Sequence, residues 1–173
     1  MTGPSEEPAA QVCRETATEF SHMKKFENVL PRYRIMLVKE SEDTFTKYPK
    51  FQNSHELYDS FREELAVLDR EHFCMITLDS KNRTIGYHRI SIGSLSTSVV
   101  HPRECLKAAL LDSAAAVIFL HNHPSGDPAP SREDRDCTNR LVEASKILGI
   151  RVLDHIICGE TDYYSFADAG LLT

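Results

Sequence analysis

No apolar run in this chain approaches the ~20 residues that a membrane-spanning helix needs, and the opening MTGPSEEPAA has neither the basic stretch nor the apolar core of a secretory leader. The expectation is a cytoplasmic protein with no membrane partner. Cysteine pairs at zinc-ribbon or redox spacing are missing as well. The five cysteines (Cys13, Cys74, Cys105, Cys137 and Cys158) are odd in number and widely spaced, with no C-x-x-C among them. They read as buried thiols in a reducing compartment. Positive charge is not in excess: 20 Lys and Arg stand against 26 Asp and Glu, a formal net charge of -6. That balance argues against a chain whose main work is coating nucleic-acid phosphates. The pattern predicts no internal repeat and no second hydrophobic core.

What is present suits a globular fold. A chain of 173 residues, 41% hydrophobic and 27% charged, can build a core without disulfides or metal staples, so any metal it binds would serve chemistry. Residues 1–30 are polar and read as a tail, with a short helix around Glu15 to Phe26, and the domain is expected over 31–173. Tyr33 to Val38 predicts a first strand. Asn53-Ser54 opens a helix whose Leu57, Phe61, Leu65 and Leu68 share one face, ending near Asp69. Glu71 to Leu78 and Thr84 to Ile92 predict a hairpin across Asp79 to Arg83. Pro102 starts a helix through Leu111, and Ala116 to Leu120 is an apolar strand running into His121. Ser131, followed by Asp134 in an S-x-x-D arrangement, caps a helix that Gly149 closes. Val152 to Cys158 is a further strand, with a short hairpin or tail at Gly159 to Leu172. The order β-α-β-β-α-β-α-β predicts a layered α/β domain with a mixed sheet.

The chemistry concentrates in His121-Asn122-His123-Pro124-Ser125-Gly126-Asp127-Pro128-Ala129-Pro130-Ser131-Arg132-Glu133-Asp134. In extended backbone, residues i and i+2 point to one side, so His121 and His123 can aim both rings at one point. The Pro- and Gly-rich loop turns the chain back, and Asp134 on the next helix's first turn can bring a carboxylate beside them. Two imidazoles and a carboxylate suit a four-coordinate zinc with one position open. Taken singly, each feature has a plainer explanation: solvated histidines, and an acid favoured by a helix N-terminus. Stability alone does not require them together.

The stretch HNHPSGDPAPSREDRD resembles the JAMM (JAB/MPN) metalloprotease signature, H-x-H-x10-D with an embedded S-x-x-D, in the form typical of the RadC family. The resemblance extends from about Ser54 to the C-terminus through GSLSTSVVHPRECLKAAL and LGIRVLDHIICG. It implies a three-layer mixed-sheet α/β domain of the cytidine-deaminase-like JAB/MPN fold, with His121, His123 and Asp134 as ligands of Zn2+ and Ser131 beside the open position. It also implies that Glu71, at the head of the strand after the first long helix, is a general base. The implied activity is zinc-dependent hydrolysis of a peptide or isopeptide bond, with Ser131 donating to the developing oxyanion while its oxygen caps the helix.

His155 matches a recurrent family segment and reads as a supporting or structural residue. Asp127 reads as a turn residue, Asp136 as an early-helix acid and Cys137 as core. A DNA-associated accessory role is the alternative, since the RadC family is named for DNA repair. Longer relatives carry a helix-hairpin-helix region, for which the ~30 residues before the first expected strand are too few. A zinc deaminase would need H-x-E with P-C-x-x-C, and the HNH nuclease pattern is spread over a longer unit than a tripeptide. A non-catalytic relative is disfavoured by the complete set of site residues. Substrate and oligomeric state stay open.

Overall fold

A computed structural model describes residues 50–93 and 100–172. The expected tail, the strand at Tyr33 to Val38, most of the loop after Gly93, and Cys13 lie outside the described residues. Three helices and five strands are described: α1 (Ser54–Ala66), β1 (His72–Leu78), β2 (Thr84–Ile92), α2 (Pro102–Leu111), β3 (Ala116–Asn122), α3 (Arg132–Ile147), β4 (Arg151–Cys158) and β5 (Tyr163–Ser165). The strands form one sheet in the order β2-β1-β3-β4-β5. Only β3 and β4 run parallel, and every other neighbouring pair is antiparallel, so the sheet is mixed as expected.

The two central strands are buried along their whole length. Their alternating side chains feed two separate cores, one on each face of the sheet, where a single core was expected. Cys74, Ile76 and Leu78 of β1 and Ala116, Ile118 and Leu120 of β3 pack against Leu57, Tyr58, Phe61 and Leu65 of α1. Phe73, Met75, Val117 and Phe119 face the other way, onto Cys105, Leu106 and Ala109 of α2 and Cys137 and Leu141 of α3. Each fully buried Phe or Leu contributes roughly 1.5–3 kcal/mol, so both layers are firmly seated. The result is a helix, sheet, helix sandwich of three layers.

Helix ends follow the sequence chemistry closely. Asn53 caps α1 by accepting the Glu56 N–H at 2.8 Å. His101 caps α2 through Nδ1, with Pro102 at the first helical position. Ser131 caps α3 in a reciprocal box with Asp134. Boundaries differ from expectation by a residue at the starts of β1 and β4, and by more at two other ends. α1 stops at Ala66 rather than near Asp69, although Leu68 still packs on the core. β3 continues past Leu120 to Asn122, because pairing with β1 and β4 carries the ladder through His121.

One irregularity in β4 decides which way a key side chain points. Val117 pairs with Val152 but Ile118 pairs with Asp154, leaving Leu153 as an extra residue. A one-residue bulge reverses the facing of everything beyond it. His155, opposite Phe119, therefore joins the α3 face instead of the α1 face. The Asp154 carboxylate consolidates the bend by accepting from the His155 and Ala167 N–H groups and from Ser165 Oγ, at 2.7, 3.0 and 2.7 Å.

The four described cysteines are buried free thiols, as expected. Burial pushes Cys105 and Cys158 up to about 12 and Cys137 to about 11, so these sulfurs remain inert SH groups. Among the described residues, no helix is long and apolar enough to cross a membrane.

Candidate metal centre

Strand alternation puts His121 on the same face as Val117 and Phe119, toward α3. The chain then continues to His123, whose N–H bonds Cys158 O at 3.1 Å and extends the ladder beyond β3. Across from β3, Phe73 of β1 pairs with His121. Glu71, two residues earlier than Phe73, shares its face in extended chain. The α3 N-terminus supplies Asp134. Glu71, His121, His123 and Asp134 thus meet at one end of the sheet, each offering one donor atom, all within 4.8 Å of one another.

Three of these residues are close enough to share a single ion. His121 Nε2 lies 3.1 Å from His123 Nε2, and Asp134 places Oδ1 3.2 Å from His121 Nε2 and Oδ2 3.4 Å from His123 Nε2. Tetrahedral zinc with bonds near 2.0–2.1 Å would separate its ligand atoms by roughly 3.3 Å. Glu71 Oε1 stands further out, 3.9 Å from His121 Nε2. His121 and Asp134 are almost wholly buried, and Glu71 is 12% exposed.

Both imidazoles use Nδ1 for support and turn Nε2 to the centre. His123 Nδ1 donates to the Asp127 carbonyl at 2.7 Å, which leaves its Nε2 a bare acceptor in the neutral ring. His121 Nδ1 lies 2.8 Å from His155 Nε2. The Asp134 Oδ1 atom is buried without any hydrogen bond, although His121 Nε2 faces it. Acceptors converging on one point repel unless a cation or proton sits among them, and this donor set of two nitrogens and a carboxylate fits zinc. The Asp134 hydrogen bond therefore raises the His123 pKa above the ordinary imidazole value despite partial burial. Burial alone would raise the Asp134 carboxyl, but the facing His121 and His123 rings pull it well below the usual carboxylate range. Burial drives His155 well below the ordinary imidazole value and keeps it neutral.

Ser131 is adjacent, but its proton is already engaged. Its Oγ donates to Asp134 Oδ2 at 2.6 Å, its backbone N–H reaches the same oxygen at 2.7 Å, and Oγ accepts the Asp134 N–H at 3.1 Å. The cap was expected to leave that proton available to a substrate; here it holds Oδ2, which also faces His123, while Oδ1 faces His121.

Three supporting features were not singled out from the sequence. Asn122, between the two histidines and pointing to the opposite face, accepts the His72 N–H at 2.8 Å and donates to Arg70 O at 3.2 Å. It grips both neighbours of Glu71. Thr138, one helical turn after Asp134, bonds both Asp134 O and His155. The loop carrying Asp127 is seated on the turn after β4: Glu160 N–H bonds Gly126 O at 3.0 Å, and a Cβ on Gly159 would meet that same oxygen at 2.5 Å. Helical i, i+4 spacing could have flagged Thr138; nothing local marks Gly159.

The chain is similar to known proteins over most of its described residues. A family model described as a RadC-like JAB domain matches residues 51–171. A UPF0758 protein of Trichlorobacter lovleyi is 54% identical over 123 residues, covering 71% of this chain and 54% of the relative. A UPF0758 protein of Desulfitobacterium hafniense is 54% identical over 110 residues, 64% of this chain and 48% of the relative. One from Pelobacter propionicus is 51% identical over 123 residues, with 71% and 54% covered. The chain spans about half the length of these curated relatives.

Proposed function

The chain belongs to the RadC-like JAB domain family, and on that premise we propose that it is a zinc-dependent hydrolase of peptide or isopeptide bonds. The observation that carries the reading is the set of 3.1–3.4 Å separations among His121 Nε2, His123 Nε2 and the Asp134 carboxylate. His121, His123 and Asp134 would hold the ion. Zinc so held supplies a Lewis acid that lowers the pKa of a coordinated water toward about 7.

The chain's own groups account for the remaining steps. Glu71, just outside the ligand triangle, takes a proton from the attacking water and returns it to the departing amide nitrogen, a role typically worth 10²–10⁴-fold in rate. Asn122 fixes the backbone on both sides of Glu71 and so limits where that carboxylate can reach. Ser131 orients Asp134 through Oδ2. Its backbone N–H can retain that oxygen while the hydroxyl turns to the oxyanion forming on the substrate carbonyl.

The test pairs metal content with hydrolysis of a panel of fluorogenic peptides and ubiquitin-like isopeptide conjugates. The full chain is expected to bind one zinc per protomer and to cleave at least one panel member. Glu71→Gln should retain zinc and lose activity at least 100-fold, and His123→Ala should lose the zinc. Wild-type protein that takes up no zinc, or Glu71→Gln protein as active as wild type, overturns the assignment.

A further inference from the structure

Behind the ligand triangle runs a buried line of hydrogen bonds whose direction can be read from proton counting. Thr138 Oγ1 donates to the Asp134 carbonyl at 2.6 Å and lies 2.7 Å from His155 Nδ1, and His155 Nε2 lies 2.8 Å from His121 Nδ1. A hydroxyl has one proton and a carbonyl has none, so the Thr138 proton goes to Asp134 O. The group facing Thr138's lone pair must then be an N–H, which assigns the His155 proton to Nδ1. A neutral imidazole carries only one proton, so His155 Nε2 is an acceptor. His121 must accordingly carry its proton on Nδ1, leaving Nε2 bare toward His123 and Asp134.

Nothing in the surroundings offers an easy alternative. Thr138, His121 and His155 are all 0% exposed. Phe166 stacks on the His155 ring at 5.1 Å, and Phe73 and Phe119 meet it edge-on at 5.4 and 6.1 Å. The ring cannot flip without exchanging both hydrogen bonds inside an aromatic clamp.

We propose that Thr138 is a positioning residue which, acting through His155, fixes the proton of His121 on Nδ1 and so keeps Nε2 available to a metal ion. This rests on the metal-centre reading above and extends it to residues that touch no ion. The reverse tautomer of His155 would put Nε2–H against His121, drive the His121 proton to Nε2, and place it where the ion belongs. Outer hydrogen-bond partners of metal-ligating histidines are typically worth 10–100-fold in metal affinity.

The experiment is long-range ¹H–¹⁵N NMR of imidazole tautomers in the ¹⁵N-labelled full chain, metal-free and with zinc, alongside zinc affinity by chelator competition. Wild type should show Nδ1–H at both His155 and His121. Thr138→Val keeps the shape but removes the acceptor; it should populate Nε2–H at both rings and weaken zinc binding 10–100-fold, while Thr138→Ser restores both readouts. A purely structural threonine would move neither. A wild-type His155 protonated on Nε2, or Thr138→Val with unchanged tautomers and affinity, overturns the proposal. Should Thr138→Val fail to fold, the wild-type tautomers and Thr138→Ser still decide it. Wild-type protein with the expected tautomers but no zinc uptake would sink the metal reading and leave the relay standing.

Discussion

Gly159 lies outside the H-x-H-x10-D segment, yet Gly159→Ala should weaken the metal centre. An added Cβ would stand 2.5 Å from Gly126 O, 2.8 Å from Pro128 Cδ and 2.9 Å from Asp162 O. Two of these neighbours are backbone carbonyls, so relief requires the Gly126 to Pro130 loop to move off the turn after β4. That loop carries Asp127 O, the acceptor that holds His123 Nδ1 at 2.7 Å. Overpacking of this kind costs about 1–3 kcal/mol of stability. Losing the His123 support should cost about 10–100-fold in zinc affinity, equivalent to about 1.4–2.8 kcal/mol. Gly149→Ala provides the control. Gly149 has φ +70 with open space around it, so a side chain there costs about 1–2 kcal/mol of backbone strain and touches nothing near the site. Chelator-competition affinity and thermal melting of both variants make the comparison. Gly159→Ala protein that loses stability but binds zinc as tightly as Gly149→Ala would refute a link between loop seating and the His123 ring.

Asn122→Ala should lower hydrolysis while sparing zinc affinity, because it frees the backbone around Glu71 without touching a ligand; unpairing His72 N–H and Arg70 O should also cost about 1–3 kcal/mol of stability, read by denaturant melts. Ser131→Ala removes both the α3 cap and a donor to Asp134, so thermal melting should show a loss of about 1 kcal/mol, and turnover should fall more than zinc affinity. Metal-free stability should depend on pH with opposite signs at the two ends. His123 has a raised pKa, so its contribution is full below the ordinary imidazole value near 6.5 and is lost as pH rises through the folded value. Asp134 has a lowered pKa, so its contribution is present above the carboxylate range and is lost as pH falls through the lower folded value. Buried His155, held below the ordinary imidazole value, works the other way and favours folding as pH rises. The His123 contribution is therefore read as the wild-type minus His123→Gln difference in metal-free melting temperature, which should decline from about pH 6 to pH 8.5. Zinc affinity should increase over that interval because His123 must shed its proton to bind. A wild-type minus His123→Gln difference that climbs from about pH 6 to pH 8.5 would contradict the His123 assignment.

How far the sequence revealed this arrangement depended on whether the signal was local. The two-residue repeat of β3 announced which face His121 and His123 share, and the S-x-x-D box placed Asp134 on the first turn of α3, because strand alternation and helix capping involve only neighbours in the chain. Glu71 is reachable only through the family resemblance; in extended chain it falls on the face of Phe73, which pairs with His121. The sequence supports only a supporting or structural role for His155, since its partners come from two other elements. Uninterrupted alternation from Val152 would turn it away from His121, and only the extra Leu153 brings it back. The role of Ser131 was half legible: capping is local, but the destination of the hydroxyl proton depends on where Asp134 turns its second oxygen.

These differences share a physical origin. The residues that bracket the candidate ligands, Asn122, Asp127, Thr138 and His155, act through hydrogen bonds whose partners are fixed by register and by loop seating. A ligand triangle can be written in a short motif because one strand end and one helix start supply it. Holding each nitrogen in the right protonation state requires the β4 bulge, the Gly126–Gly159 contact and the α3 face to agree at once. Substitutions at those remote positions should consequently change metal affinity while every residue of the H-x-H-x10-D pattern is intact.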